Sequence, residues 1–241
     1  MPLTIVTGGT RGIGAAVAAR LAQAGHDLVL GHRADTDSAR AVVASLEATG
    51  VRCVAVAGDV TTDAGIDALL DAADRMGGLT GLINNAGATY RFAPLVDTPA
   101  DEVRRTVEVN LTAPMLVARA AVERMGAGGV VVNVTSGAAT LGSPGEYVHY
   151  AAAKAGLDLF TRGLGLEVAG RGIRVVAVAP GLVETELHAT TGDPGRLTRM
   201  APQVPLGRAG QPEEIAEAVA WLMSDAASYV TATTLRVAGG R

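Results

Sequence analysis

Thr7-Gly8-Gly9-Thr10-Arg11-Gly12-Ile13-Gly14 follows the apolar run 3–6 and opens an alanine-rich stretch. Glycines between a strand and a helix allow a tight turn, a close approach of backbone to ligand, and close packing of helix on sheet. The spacing is Gly8, Gly12, Gly14 rather than G-x-G-x-x-G, so the loop alone also suits an ordinary strand-to-helix turn. Its surroundings decide. Short Val/Leu/Ile runs predict strands at 3–6, 28–30, 51–57, 82–83, 130–134, 173–178 and 234–237. Longer segments between them predict helices over about 12–24, 36–49, 62–75, 100–125, 147–169 and 211–223. Gly25, Gly50 and Gly77 stand where helices end, and Pro99 and Pro212 where helices begin. Strands apolar on both faces are those of a buried parallel sheet. Their alternation with helices requires crossovers of one hand and helices on both faces. The expected fold is α/β, a Rossmann-type doubly wound parallel sheet of seven strands in one domain over 1–241.

Composition narrows the function. Among 241 residues, 20 Lys and Arg stand against 24 Asp and Glu, a net charge of −4, with 49% hydrophobic residues. Disorder needs the opposite balance. Without a basic excess a nucleic-acid partner is not expected. One cysteine, Cys53, excludes a disulfide framework and suits a reducing compartment. No uncharged apolar run approaches the ~18 residues of a membrane span, and no basic segment precedes the first apolar run. The expected location is the cytoplasm, with no membrane contact. The four histidines show no ligand spacing, so no metal site is expected.

In doubly wound sheets ligands bind beyond the carboxyl ends of the strands. A helix N-terminus behind a glycine loop offers free N–H groups and about half a positive charge to a pyrophosphate. Gly8, Thr10, Arg11, Gly12, Ile13 and Gly14 are the candidates for it. An NAD site places an acid after the second strand, and an NADP site a cation for the 2′-phosphate. His32 and Arg33 stand there with Arg11 in the loop, and the nearby acid, Asp35, lies farther on. Guanidinium groups fork onto phosphate, so NADP(H) is the expected cofactor. Asp59, with Val60, follows the third strand. It suits an adenine amino group or the cap region of the next helix. Asn84-Asn85-Ala86-Gly87 follows the fourth strand, either as room for a cofactor or as a turn.

Ser136 follows the fifth strand. Tyr150 and Lys154 come next, four residues apart on a predicted helix and therefore on one face. A free tyrosine, with pKa about 10, is too weak an acid for proton transfer near neutrality. An ammonium at ~4 Å contributes about 4 kcal/mol at an effective dielectric of 20. That predicts a fall of about 3 units for Tyr150, making it a proton donor to a carbonyl or a base toward an alcohol.

The whole set resembles the short-chain dehydrogenase/reductase family. The resemblance rests on the Gly8–Gly14 loop, Asp59, Asn84-Asn85-Ala86-Gly87, Asn110, Ser136, Tyr150, Lys154, Pro180-Gly181 with Thr185, and the segments 205–208 and 212–215. It implies hydride transfer between nicotinamide and a carbonyl carbon, with Ser136 orienting the carbonyl and Tyr150 donating the proton. Lys154 is implied to lower the tyrosine pKa and bind the nicotinamide ribose, and Asn110 to hold a water relay. Asn85, Ala86, Gly87, Pro180, Gly181, Val183 and Thr185 are implied to border the cofactor. Ala153 and Ala238 depart from the common pattern, which has serine and aspartate there. A homotetramer is implied, with interfaces on the helices of 100–125 and 147–169 and on the last helix and strand.

Within the family the chain is similar to 3-oxoacyl-acyl-carrier-protein reductases and the broad group around them, which gives an acyl thioester as one substrate class. A free ketone, a sugar or a natural-product alcohol is the alternative. An acidic carrier needs a basic docking patch. Arg171 and Arg174 are candidates for it, but Met125-Gly126-Ala127-Gly128-Gly129 is uncharged where such reductases carry basic residues. Segment 182–210 is the expected substrate lid, with Leu187, Leu197 and Met200 as its apolar side. Tyr147 lacks a lysine four positions on and is expected to line the cleft. His149 and Trp221 are read as packing residues. A non-catalytic NADP-sensing protein is a remote alternative, since a pure binder needs no activated tyrosine.

Overall fold

A computed structural model describes residues 1–34, 36–185 and 195–241. Among them seven parallel strands form one sheet in the order β3-β2-β1-β4-β5-β6-β7. The strands are β1 (Leu3–Thr7), β2 (Asp27–His32), β3 (Cys53–Ala57), β4 (Gly81–Asn84), β5 (Val130–Val134), β6 (Arg174–Pro180) and β7 (Thr233–Val237). The helices are α1 (Gly12–Gln23), α2 (Thr36–Glu47), α3 (Asp63–Met76), α4 (Ala100–Val107), α5 (Ala113–Arg124), α6 (Ala138–Leu141), α7 (Val148–Val168), α8 (Arg196–Met200) and α9 (Pro212–Met223). The Rossmann-type expectation holds.

Alternation along each strand divides the core. Val6, Leu30, Val132 and Val176 face α1, α2 and α9. Ile5, Val29, Val131 and Val175 face α3, α5 and α7. Each such side chain contributes about 1.5–3 kcal/mol on burial. With two Phe and one Trp in the chain, small aliphatic residues fill both layers.

The helix expected over 100–125 is broken. α4 and α5 are joined by one π turn, Glu108–Thr112. Pro114, near the start of α5, has no N–H for the carbonyl four residues back, that of Asn110. The wider turn accommodates this loss, as such bulges do at functional sites.

Far from the carboxyl ends of the strands, Asp27 opens β2 with a side chain wholly out of solvent. Arg52 donates to it from N, Nε and Nη2 at 2.7, 2.9 and 2.6 Å. Burial raises the Asp27 carboxyl pKa, but the hydrogen bonds and charge of Arg52 outweigh it and hold it below the ordinary carboxylate range. A depressed carboxyl stabilises the fold above its unfolded pKa of about 3.9, and this is lost as pH falls through the folded value. Asp27→Asn should lower the unfolding free energy in urea by about 1–2 kcal/mol at pH 7, and the deficit should narrow as the medium is acidified. A variant as stable as the wild type at pH 7 contradicts this.

Candidate active site

Strand order reverses between β1 and β4, and the loops after these strands open a crevice there. Thr7 closes its floor. Its Oγ1 accepts the N–H groups of Asn85 and Ala86, each at 3.0 Å. Asn85 Nδ2 donates to the carbonyls of Thr7 and Gly8 at 3.0 and 3.1 Å. The Asn85 side chain is thus a brace for the glycine loop. A Cβ on Gly14 would strike the Gly8 carbonyl and Asn85 Nδ2, so only glycine fits where α1 passes beneath the loop.

Arg11 is the extended N-cap of α1, and its side chain does not cap the helix. Its first-turn N–H groups and the positive end of its dipole are left for an anion. Thr10 is buried and Arg11 exposed. Gly12 lies beside Thr185, whose Cγ2 would be 3.6 Å from a Cβ there. Ile13 and Val60 lean on the core clusters. At the end of β2, His32 is buried with Nδ1 unpartnered among the described residues, and Arg33 is exposed. Asp59 is bonded by the N–H and hydroxyl of Thr61 at 3.0 and 2.8 Å. These bonds hold its carboxyl pKa low against burial, with the charge of Arg33 adding to them. The cap of α3 is Thr62, whose Oγ1 accepts from Gly65 N at 3.1 Å, so Asp59 is free of that duty. Asp35 lies outside the described residues.

Ser136, Tyr150 and Lys154 come together at the ends of β5 and α7. Tyr150 is 8% exposed and Lys154 4%. Ser136 lies near enough to the Tyr150 phenol to lower its pKa in part, and its Oγ accepts from Ala138 N at 3.1 Å. Lys154 Nζ lies 5.7 Å from the centre of the Tyr150 ring and donates to the Val134 carbonyl at 2.9 Å. Asn110 sits on the π turn. Its Nδ2 donates to the carbonyls of Ala88 and Thr106 at 2.8 and 2.9 Å, and its buried Oδ1 has no partner among the described residues. A Cβ on Gly87 would lie 2.8 Å from that oxygen and 3.5 Å from Lys154 Nζ. Glycine at 87 therefore keeps open the space that Asn110, Lys154 and the crevice share.

The electrostatics differ from the expectation. Burial raises the Tyr150 phenol pKa above its ordinary value, and Ser136 offsets only part of this. Burial also lowers the Lys154 ammonium pKa to about 8, against the pull of Asp158. Spacing on a helix shows that two groups share a face. It does not show that both sit in the interior, where desolvation outweighs their interaction.

At the end of β6, Pro180 accepts from Gly137 N at 2.8 Å, and Gly181 N donates to Val237 at 3.0 Å. Val183 is buried and pairs with Gly210. The bonds of that pair use the amide of Glu184 and the carbonyl of Leu182. Residues 186–194 of the expected lid, with Leu187, lie outside the described residues. Leu197 and Met200 pack on Leu182, Val204 and Ala209.

Two features escaped sequence reasoning. Asn84 Nδ2 donates to Asn133 Oδ1, and Asn133 Nδ2 to Thr161 Oγ1, both at 2.9 Å, tying β4, β5 and α7 behind the site. Arg196 and Glu146 form an ion pair beside Tyr147. Tyr147 lies edge-on to Tyr150, ring centres 5.2 Å apart. Trp221, expected as packing, is exposed. Arg171 and Arg174 lie at the amino end of β6, away from Tyr150 in this chain, and donate to carbonyls of Val122, Met125, Val230, Leu222 and Ser224. Cys53 is buried, and burial pushes its thiol pKa up to about 12.

A family profile described as Enoyl-(Acyl carrier protein) reductase matches residues 8–241. An uncharacterized oxidoreductase of Escherichia coli (strain K12), YgfF, is 41% identical, with 100% of each chain covered. The chain belongs to the short-chain dehydrogenase/reductase family. The 3-oxoacyl-[acyl-carrier-protein] reductase FabG of Vibrio cholerae is 40% identical over 99% of this chain and 96% of the relative. A short-chain dehydrogenase of Burkholderia cenocepacia, solved in complex with NADP, superposes with a TM-score of 0.93 at 33% identity, covering 99% of this chain and 97% of its own. Among the described residues of this short-chain dehydrogenase/reductase, no helix is long and apolar enough to cross a membrane.

A lysine whose folded pKa lies below its unfolded one costs stability while charged and ceases to do so as it deprotonates. Between about pH 8 and 10 the unfolded chain binds the extra proton, so stability rises with pH. Without cofactor, the melting temperature of the wild type should therefore rise relative to Lys154→Met over that interval. A difference independent of pH contradicts the burial of the charge.

Proposed function

We propose that the protein is an NADP(H)-dependent oxidoreductase that reduces a carbonyl to a secondary alcohol, with Tyr150 as proton donor. The observation that carries this reading is the cluster of buried Tyr150 and Lys154 with half-buried Ser136 at the crevice where the strand order reverses. The fit of a dinucleotide is supported by the start of α1 that Arg11 leaves uncapped, the space kept open at Gly87, and the unpartnered Oδ1 of Asn110. The NADP complex of the Burkholderia relative agrees. Gly8, Thr10, Arg11, Gly12, Ile13 and Gly14 would hold the pyrophosphate. Arg11, His32 and Arg33 would hold the 2′-phosphate, and Asp59 and Val60 the adenine. Asn85, Ala86, Gly87, Pro180, Gly181, Val183 and Thr185 would border the nicotinamide half. When bound, the nicotinamide supplies the hydride.

The residues of the chain do the rest. Ser136 orients the carbonyl oxygen and Tyr150 gives it a proton. Lys154 reaches the ribose and holds positive charge beneath the phenol. Asn110 accepts from a water that returns the proton to solvent. The charge of Lys154 opposes the upward push of burial on the phenol, and the positive ring of the oxidised nicotinamide would add to that opposition. A free small carbonyl is favoured over a carrier-bound one. The V. cholerae relative is named for carrier-protein substrates, but Arg171 and Arg174 here are engaged by carbonyls at the far end of β6. The cytoplasm is the proposed location.

Tyr150→Phe should lower turnover of any accepted ketone by about 10²–10⁴-fold, with the NADPH Kd from fluorescence titration nearly unchanged. The same titrations should give a lower Kd for NADPH than for NADH, and Arg33→Ala should remove most of that difference. Wild-type protein inert toward a broad panel of carbonyls while binding NADPH would favour the sensing alternative. A homotetramer is also proposed. Leu159 and Leu166 on α7 are 71% and 64% exposed, and Met115 on α5 and Trp221 on α9 lie open as well, apolar side chains that subunit interfaces on these helices would cover. Sedimentation equilibrium should give four times the chain mass; a monomer overturns this.

A further inference from the structure

The chain has two Phe, four Tyr and one Trp. Three of these seven aromatics meet at one place outside the two main core layers. The Phe92 and Tyr147 ring centres are 4.9 Å apart, and Tyr147 stands edge-on to Tyr150 at 5.2 Å. Phe92 and Tyr147 are only half-buried, so the panel they form is open on one side, next to the proposed proton donor. It is also held rigidly. Arg196 lies over both rings, 4.4 Å from the Phe92 centre and 5.7 Å from that of Tyr147. Its two terminal nitrogens donate to the two carboxylate oxygens of Glu146 at 2.7 and 2.8 Å. Nη2 also reaches the Tyr147 hydroxyl at 3.3 Å, and the Glu146 carbonyl accepts from Ala93 N at 2.8 Å. One guanidinium, 4% exposed, thus ties three segments distant in sequence: the loop of Phe92, the loop before α7, and the start of α8.

We infer that this clamped panel is the specificity wall of the site, and that it selects a compact, uncharged, ring-bearing ketone or secondary alcohol over an open-chain one. The inference rests on the carbonyl-reductase reading above and extends it to substrate class. A fixed aromatic surface offers a large apolar contact without ordering its own side chains on binding. A ring brings no rotors to freeze against such a surface, whereas an open chain of equal carbon number does. The charge of Arg196 is matched by Glu146, so the wall offers no net charge to attract an ionised substrate. Arg196 and Glu146 are positioning residues that act through Phe92 and Tyr147. Lysine could not replace Arg196, because it lacks the planar fork that holds both carboxylate oxygens and lies flat on a ring.

The test compares kcat/KM, with NADPH, for cyclohexanone against hexan-2-one and for 2-tetralone against decan-2-one. The wild type should favour each ring by about tenfold, the size of a good aromatic contact. Glu146→Gln and Phe92→Leu should both reduce that ratio to about twofold or less, mainly through KM of the ring ketone, while the NADPH Kd stays close to wild type and circular dichroism at the assay temperature shows both variants folded. Turnover with equal preference for ring and chain, or a ring preference that survives both variants, overturns the inference and leaves the reductase reading intact. No turnover of any ketone together with no NADPH binding overturns the reductase reading itself.

Discussion

A buried ammonium held by a backbone carbonyl is the constraint around which the site is arranged. Lys154 lies in the interior at the end of β5, with Val134 O as its hydrogen-bond acceptor and Asp158 as the nearby charge that opposes its deprotonation. Directly beside it a phenol is pushed toward its neutral form by the same burial. Such a pair is costly in an empty protein and useful in a loaded one. Strain of this kind at a functional site is supported by the rest of the fold, here by two fully packed layers and by the Asn84–Asn133–Thr161 chain that fixes the strands behind it.

Backbone geometry keeps that neighbourhood accessible. Pro114 removes a helical hydrogen bond and the π turn widens there, placing Asn110 with one oxygen unpartnered. Gly87 leaves the volume in front of that oxygen unfilled. At the opposite wall, Thr7 and Asn85 hold the glycine loop so that α1 can point its first turn into the crevice. Polar side chains here satisfy backbone groups at the one point where neighbouring loops diverge, and the opening follows from that divergence.

Most of the fold was legible in the sequence because its strands are apolar on both faces, a pattern that only a covered parallel sheet explains. The glycine loop, Ser136, Tyr150 and Lys154 were legible because each follows a strand or shares a helix face at fixed spacing. What could not be read depends on distance or depth. Arg196 and Glu146 are fifty positions apart and meet only through the fold. The pairing of Asn84 with Asn133 requires the β4–β5 register. The π turn did have a signal, Pro114 in the middle of an expected helix. The direction of the Tyr150 pKa shift was misread because helical spacing carries no information about burial. Aromatic clustering was visible only as a low aromatic count, which says nothing of where the few rings gather.

The central claim is that the positive ring of bound oxidised cofactor, added to the charge of Lys154, brings the Tyr150 phenol within reach of proton transfer near neutrality. The most direct measurement is the ionisation of the Tyr150 phenol, followed by ultraviolet difference titration of the wild type against Tyr150→Phe, with and without NADP⁺. The account predicts a pKa above the ordinary value of about 10 in the free protein and a fall of several units toward neutrality on adding NADP⁺. An unchanged high value in the loaded protein, or an already acidic phenol in the free one, would contradict it.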